Sequence, residues 1–342
     1  MHANESAKIE KIRKYHGDNL TIMGHHYQSD QIIAHTDIQG DSLELARKIV
    51  DLDSRYIIFC GVHFMAETAA VLAKPNQHVF LPDHFASCVM AETAPANTVN
   101  AILTDLNKYR KIIPLAYVNS SLAVKTLCGL FGGSVCTSAN ARKMMDWGLK
   151  QADGVLFLPD KHLGTNTAND LGIPKQERTI LDIRSMGQHI DYSSASRKKL
   201  LLWPGVCAVH HRIKHRHLQD IREKDPQALI IVHPECSPEV VSMSDAKGST
   251  SQIINYIKNA PPESAIYVGT EENMVNRLAG QFFPDFMVRS ILPTYCSNMA
   301  KITPHKLLKT LADLKPENQL HIPQSGRDEA RKALQTMLKV CS

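Results

Sequence analysis

Apolar runs of strand length alternate along the chain with amphipathic helical segments. The segment from Ser42 to Leu52 carries apolar residues at helical spacing. Three short apolar runs, each ending in an aromatic residue, indicate strands at Tyr56 to Phe59, Val155 to Phe157 and Ala265 to Tyr267. Because strands that alternate with helices form parallel sheets covered by helices, the pattern predicts an α/β fold. Functional groups in such sheets gather at the carboxyl ends of the strands.

The same landmarks occur three times in the same order, which indicates an internal repeat. Each copy has a polar loop, a serine at a helix start, an apolar run and a cysteine. The loops are His25-His26-Tyr27, Tyr117-Val118-Asn119 and His233-Pro234-Glu235, and the cysteines are Cys88, Cys207 and Cys296. Ser42, Ser138 and Ser249 follow His25, Asn119 and His233 at 17, 19 and 16 residues. The middle cysteine lies 50 residues beyond its aromatic residue and the others 29, which predicts an insertion around Leu181 to Lys199.

The repeat predicts three similar domains, at residues 17–108, 109–226 and 227–315. Residues 1–16 and 316–342 are predicted to be flanking helices. Within the second of these, the stretch from Arg327 to Val340 has the pattern of an amphipathic helix without catalytic groups. A chain of 342 residues with 43% hydrophobic content is long enough to build several cores.

Charge and hydropathy exclude two classes of partner. The net charge of +5 is spread along the chain without a block of Lys and Arg, so nucleic-acid binding is not expected. No apolar run approaches the roughly 20 residues that span a bilayer, and the polar start Met1-His2-Ala3-Asn4-Glu5 lacks the apolar core of a signal peptide. We therefore expect a cytoplasmic protein that acts on small molecules.

Eight cysteines in a cytoplasmic chain are expected to be thiols or metal ligands rather than disulfides. Five of them are interpreted as core residues: Cys60, Cys128, Cys136, Cys236 and Cys341. Cys88, Cys207 and Cys296 differ, because each occupies the corresponding end of a repeat. Three thiolates on a four-iron cluster leave one iron without a protein ligand, and that iron can act as a Lewis acid.

The helix starts and the loops offer complementary chemistry. Ser42, Ser138 and the Ser249-Thr250 pair stand where an N-cap residue would, and helix N-termini attract carboxylates and phosphate. Simple capping is the alternative for each. The loops supply groups for proton transfer and an orienting amide, namely His25, Tyr27, Tyr117, Asn119, His233 and Glu235. For His63, capping and site roles remain open.

Many ordered motifs make the chain resemble the quinolinate synthase family from about Ile22 to Ile302. The carrying segments are Gly24 to Gln28, Gly40 to Arg47, Cys60 to Thr68, Tyr117 to Asn119, Cys136 to Ser138, Phe157 to Asp160, Trp203 to Cys207, His233 to Cys236, Gly248 to Ser251 and Cys296 to Thr303.

The resemblance implies three αβα three-layer domains with parallel sheets, in a pseudo-threefold arrangement around a [4Fe-4S] cluster. It implies a transferase that condenses iminosuccinate with dihydroxyacetone phosphate to quinolinate, phosphate and two waters in de novo NAD biosynthesis, with possible coupling to L-aspartate oxidase. By position, Cys88, Cys207 and Cys296 match the cluster ligands, and Tyr27, Tyr117 and Glu235 match catalytic positions. The residues that match the family's substrate contacts are His25, Ser42, Tyr117, Val118, Asn119, Ser138, His233, Pro234, Glu235, Ser249 and Thr250.

The chain departs from the family pattern at several positions. His26 stands where Tyr is common, His211 where an acidic residue usually follows the Cys-x-x-His segment, and Ser87 where Gly is frequent. The second repeat has extra residues at Gly129 to Gly133, and the C-x-x-C-x-x-C arrangement of some members is missing. The first two departures are expected to affect proton relays or substrate approach.

Two alternative functions stay open from the residues alone. One is another [4Fe-4S]-dependent hydro-lyase that acts on small hydroxy acids through the same open iron. The other is a zinc- or thiol-based sensor or binding module, in which the triplication serves only assembly.

Overall fold

Three parallel sheets form the framework of the chain. A computed structural model describes residues 2–342, apart from the side chains at positions 2, 3 and 317. The first sheet contains β1 (Leu20–His25), β2 (Ile38–Gly40), β3 (Tyr56–Cys60) and β4 (His78–Phe80). The second contains β5 (Ile112–Tyr117), β6 (Ser134–Cys136), β7 (Gly154–Leu158), β8 (Arg178–Ile180) and β9 (Leu200–Leu202). The third contains β10 (Leu229–Val232), β11 (Ala246–Lys247), β12 (Ala265–Gly269) and β13 (Met287–Ser290).

The strand orders of the three sheets follow one plan. They are β2-β1-β3-β4, β6-β5-β7-β9-β8 and β11-β10-β12-β13, and the strand pairs are parallel. The second sheet has the additional edge strand β8, which ends directly before the predicted insertion. Part of that insertion forms a short helix at Tyr192–Ala195.

Helices connect the strands throughout the described part of the chain. In chain order they are α1 (His2–His16), α2 (Asp30–Ile33), α3 (Ser42–Asp51), α4 (His63–Leu72), α5 (Val89–Glu92), α6 (Ala96–Leu106), α7 (Leu122–Leu130), α8 (Ala141–Gln151), α9 (Lys161–Asp170), α10 (Tyr192–Ala195), α11 (Ala208–His211), α12 (His215–Lys224), α13 (Pro238–Met243), α14 (Thr250–Lys258), α15 (Glu272–Phe282), α16 (Pro304–Leu311) and α17 (Arg327–Val340). No helix among residues 2–342 is long and apolar enough to cross a membrane.

The sequence-based fold class is confirmed: the chain is α/β, with three parallel sheets interleaved with helices. The predicted helix at Ser42 ends one residue early, at Asp51, and α17 has the predicted bounds Arg327–Val340. The three predicted apolar runs lie in β3, β7 and β12. Their buried residues explain the missing alternation, because parallel strands covered on both faces are apolar throughout.

By its internal contacts, the chain divides into two compact units. The first unit comprises the residues up to Cys88, Arg212–His233 and Met243–Ile322, and it contains the first and third sheets. The second unit comprises Val89–His211, Pro234–Ser242 and Pro323–Ser342, and it contains the second sheet. The three domain ranges and their pseudo-threefold arrangement stay predictions. The predicted flanking helix at 1–16 begins on residue 1, which lies outside the described residues.

The register of the strands relates the three loops residue by residue. Gly24 pairs with Cys60 in the first sheet, Ala116 with Leu158 in the second and Val232 with Gly269 in the third. The next residues are His25, Tyr117 and His233. The three polar loops therefore start at equivalent positions, and Asn119 corresponds to Tyr27 and Glu235. Tyr267, the third aromatic landmark, lies one residue before Val268, which pairs as Phe59 and Phe157 do.

Two of the predicted N-caps are wrong by a few residues. Asp41 caps α3 through a capping box with Glu44, so Ser42 is the first helical residue. Ser249 caps α14 in the same way with Gln252, so Thr250 corresponds to Ser42. Ser138 lies before Asn140, the N-cap of α8, and caps no helix. The sequence does not determine the N-cap position to within one residue, because neighbouring polar residues compete for it.

Glycine permits the close packing of α17 on α7 within the second unit. Gly129 lies near the end of α7, and a Cβ atom there would come 2.1 Å from the backbone oxygen of Glu329. Such a contact forces the backbones apart. Gly280 in α15 has no heavy atom within 4 Å of the corresponding Cβ position.

We expect Gly129→Ala to destabilise the protein by about 1–3 kcal/mol, because overpacking displaces α17. The matched Gly280→Ala variant should be stabilised by about 0.5–1 kcal/mol through the better helix propensity of alanine. Urea unfolding of both variants and wild type measures the difference. Equal stability of Gly129→Ala and wild type would contradict the tight contact between α7 and α17.

Candidate functional site

One backbone hydrogen bond recurs in all three repeats and fixes the segments that carry the candidate ligand cysteines. The first residue of α4, α9 and α15 donates its N–H to a carbonyl oxygen two residues before a cysteine. The pairs are His63 to Ala86 at 2.7 Å, Lys161 to Gly205 at 2.9 Å and Glu272 to Thr294 at 2.8 Å. Each bond joins residues of one unit. Cys88, Cys207 and Cys296 therefore occupy equivalent positions of the repeat.

In the first unit, the loop after β1 gathers His25, Tyr27 and residues of the third sheet. His25 is 5% exposed, and its Nδ1 accepts the N–H of Tyr27 at 3.2 Å. That hydrogen bond assigns the proton of the neutral imidazole to Nε2. The Tyr27 hydroxyl lies 2.7 Å from Oγ1 of Thr270, directly after β12. The edge of the Tyr27 ring meets His25 with centroids 4.6 Å apart.

His26, the first departure from the family pattern, contributes to a polar group beside this loop. Its Nε2 lies 3.9 Å from Oε2 of Glu44, and the Ser251 hydroxyl donates to the same oxygen at 2.6 Å. His26, Ser251 and the N–H of Asp41 together lower the pKa of Glu44 to about 2. Glu44 is therefore a carboxylate at neutral pH, near the N-terminus of α3.

The start of α14 presents a buried hydroxyl. Thr250 is 2% exposed, and its Oγ1 has no hydrogen-bond partner among the described residues. An unsatisfied buried polar atom is costly unless a ligand or water supplies the missing bond. His233, the residue directly after β10, is 3% exposed, and its N–H donates to the Gly269 carbonyl at 3.0 Å.

In the second unit, the loop after β5 is fixed by its own backbone. Tyr117 and Val118 are buried, and the N–H of Val118 donates to the Cys136 carbonyl at 2.7 Å. The Oδ1 atom of Asn119 is buried without a hydrogen-bond partner among the described residues. The Lys125 ammonium is fully buried and donates to the Ser120 carbonyl at 2.9 Å. Ser138 lies half-buried after β6.

A second cluster in this unit joins Glu235 to the segment of Cys207. The Glu235 carboxyl is 3% exposed, and its Oε2 lies 2.9 Å from Nδ1 of the fully buried His210. The ligand atoms of Cys207, His210 and Glu235 lie within 4.8 Å of one another. Asn166 fixes the chain here by donating to the carbonyls of Pro234 and Cys236, both at 2.9 Å.

His211 and His63 each lie close to another titratable side chain, and a role of either in the site stays a prediction. His211 Nδ1 lies 3.4 Å from Nε2 of His162, and the rings stack with centroids 5.6 Å apart. The second departure from the family pattern therefore places an imidazole pair beside the Cys207 segment. His63 begins α4, and its Nδ1 lies 3.6 Å from Oε1 of Glu67.

Burial separates the candidate ligand cysteines from four of the five predicted core cysteines; the prediction is wrong for Cys341, which is half-buried. All eight cysteines in the described chain are thiols rather than disulfides. Burial raises the pKa of Cys60 and of Cys128 to about 12, and that of Cys136 well above its usual range, so these stay protonated. Cys88, Cys207 and Cys296 are half-buried, at one equivalent position of each repeat. A thiol that is partly exposed can lose its proton and bind a metal more readily than a buried one.

Several buried titratable groups were not predicted from the sequence, among them His210, Asp160, Glu271 and Lys125. A signal existed for His210, because Cys-x-x-His places the imidazole about one helical turn after Cys207. Asp160 was visible only as the end of an apolar motif. Lys125 had no signal, since a lysine in a helix is ordinarily exposed.

Comparison with known proteins finds one family along nearly the whole chain. The family model described as Quinolinate synthetase A protein matches residues 7–339. Similar curated proteins are the quinolinate synthases of Bacillus velezensis, 42% identical over 339 residues, and Bacillus subtilis, 41% identical over 341 residues. Each alignment covers 97% of this chain and 92% of the relative. The quinolinate synthase of Acidobacterium capsulatum is 38% identical with the same coverage.

Proposed function

Because the chain belongs to the quinolinate synthetase A family, we propose that it condenses iminosuccinate with dihydroxyacetone phosphate, a transferase reaction. The products are quinolinate, inorganic phosphate and two waters, which balances all atoms of the two substrates. The observation that carries the proposal is the equivalent position of Cys88, Cys207 and Cys296 in the three repeats.

We propose that these three cysteines hold a [4Fe-4S] cluster. Their half-buried thiols fit this role better than the buried thiols of Cys60 and Cys128, whose pKa of about 12 disfavours the thiolate. When bound through three cysteines, the cluster supplies one open iron as a Lewis acid for the loss of water.

In the first unit, the proposed substrate contacts are His25, Ser42, His233, Ser249 and Thr250. The neutral imidazole of His25 donates from Nε2, and Thr250 offers the buried Oγ1 that has no partner in the described chain. The starts of α3 and α14 add backbone N–H groups that suit carboxylate or phosphate oxygens. Tyr27 is proposed as a proton-transfer group, because its hydroxyl is oriented by Thr270.

In the second unit, the proposed contacts are Tyr117, Val118, Asn119, Ser138, Pro234 and Glu235. Asn119 offers an unsatisfied Oδ1, which suits a substrate donor such as the imine or amine nitrogen. Tyr117 and Glu235 are the proposed catalytic groups. Glu235 is held by His210, so its carboxyl has a defined orientation for moving protons during the isomerisation and dehydration steps.

The proposed reaction places the chain in de novo NAD biosynthesis, in the cytoplasm. Iminosuccinate is an imine that water hydrolyses, so its supply by an L-aspartate oxidase close to the enzyme is part of the proposal. The rival hydro-lyase function uses the same cysteines on hydroxy acids.

The assay combines, without oxygen, the anaerobically purified protein, dihydroxyacetone phosphate, aspartate, an L-aspartate oxidase and an electron acceptor other than oxygen for that oxidase. We expect quinolinate and inorganic phosphate to form in equal amounts, and neither to form when the triose phosphate is omitted. Chromatography and a phosphate assay measure the products. Iron-containing protein that forms no quinolinate but dehydrates a hydroxy acid would contradict the proposal.

We expect Glu235→Gln to lower kcat by about 10²- to 10⁴-fold, because the amide keeps the shape but transfers no proton. The KM for dihydroxyacetone phosphate should change much less. Glu239→Gln, an exposed position on α13, serves as the matched control and should keep wild-type kcat. Full turnover by Glu235→Gln would exclude its catalytic role.

A further inference from the structure

Two of the three equivalent helix starts carry a buried carboxyl group at the N-cap, and each carboxyl group accepts the N–H of a candidate ligand cysteine. The N-cap residues of α4, α9 and α15 are Val62, Asp160 and Glu271. Asp160 and Glu271 are fully buried. These are the residues directly before the N–H groups that bind the cysteine segments, so their side chains start at the same place in each repeat.

In the second repeat, the two carboxyl oxygens of Asp160 accept hydrogen bonds from different segments. Oδ1 accepts the N–H of Leu163 at 2.8 Å and so caps α9. Oδ2 accepts the N–H of Cys207 at 3.0 Å. The cysteine is 47 residues away in the chain, so this bond ties the start of a helix to a distant loop.

The third repeat uses the same arrangement with a longer side chain. Oε2 of Glu271 accepts the N–H groups of Asn273 at 2.9 Å and Met274 at 3.4 Å, which caps α15. Oε1 accepts the N–H of Cys296 at 3.3 Å. We call each of these carboxyl groups, bonded to a helix start and to a cysteine N–H, a carboxylate clamp. The residues of each clamp belong to one unit.

The first repeat differs, because the side chain of Val62 has no oxygen and cannot accept an N–H. A helix cap needs only one side-chain oxygen, and Asn or Ser caps as well as Asp does. A buried carboxyl group is therefore more than capping requires, and removing it from water costs free energy. The second oxygen explains why a carboxylate stands at both positions.

We propose that Asp160 and Glu271 are positioning residues that hold the backbones of Cys207 and Cys296 for cluster binding. The inference rests on the proposed function for the identity of the bound group. A thiolate ligand must point within narrow limits of distance and angle, and groups that fix a ligand's orientation typically raise metal affinity 10- to 100-fold. The two carboxylates restrain the cysteines through their N–H groups, leaving the thiols to the iron.

Asp160→Asn and Glu271→Gln are the discriminating variants. The amide keeps one oxygen that can cap the helix. Its other group is NH₂, which cannot accept a hydrogen bond from the cysteine N–H. Amide hydrogen exchange of the metal-free protein reads the clamp without any cluster. We expect exchange at Cys207 to accelerate about tenfold or more in Asp160→Asn while Cys296 is unchanged, and the reverse in Glu271→Gln. Asp191→Asn, an exposed N-cap of α10, is the control and should alter neither.

A second readout is the rate at which the iron-loaded protein loses iron to a chelator. We expect each clamp variant to lose iron about tenfold faster than wild type and Asp191→Asn. Unchanged exchange at Cys207 in Asp160→Asn and at Cys296 in Glu271→Gln would overturn the inference. If neither variant folds, fast exchange of both amides in metal-free wild type overturns it, and slow exchange supports it. A wild type that binds no iron contradicts the proposed cofactor instead, since the exchange experiment does not depend on it.

Discussion

One backbone hydrogen bond, from the first residue of a helix to the carbonyl two residues before a cysteine, fixes the segment of each candidate ligand. Its three copies, at His63, Lys161 and Glu272, have lengths of 2.7, 2.9 and 2.8 Å. The donors follow β3, β7 and β12, which occupy equivalent positions in the three sheets. The bond therefore fixes the position of each cysteine relative to its sheet. The sheet thus determines where a thiol lies, although the cysteine itself belongs to a loop.

The three repeats share their strand order and a backbone hydrogen bond, but their side chains differ at equivalent positions. Equivalent loop positions hold Tyr27, Asn119 and Glu235, three groups of different chemistry on one framework. The equivalent N-cap positions hold Val62, Asp160 and Glu271, so the carboxylate clamp is present in two copies. A uniform framework with unequal loops suits the proposed reaction, which joins two different substrates.

Much of the fold could be predicted from the sequence, because strands and helices leave local patterns of apolar residues. Continuous apolar runs mark the buried strands, and α17 follows from its amphipathic period. The site was less predictable where neighbours compete: Ser249 and Thr250 are both polar, and only the capping box with Gln252 shows that Thr250 matches Ser42. The clamps could not be predicted, since their partners lie 47 and 25 residues away and become neighbours only through the sheets.

The most direct test of the central claim is anaerobic iron and sulfide analysis of single cysteine variants. Cys88→Ala, Cys207→Ala and Cys296→Ala are compared with wild type and with Cys341→Ala, a half-buried cysteine outside the repeat positions. About four irons per chain are predicted for wild type and Cys341→Ala, and loss of the brown cluster in the other three. A protein that binds zinc and no iron, or a repeat-position variant that keeps its iron and activity, would contradict the account.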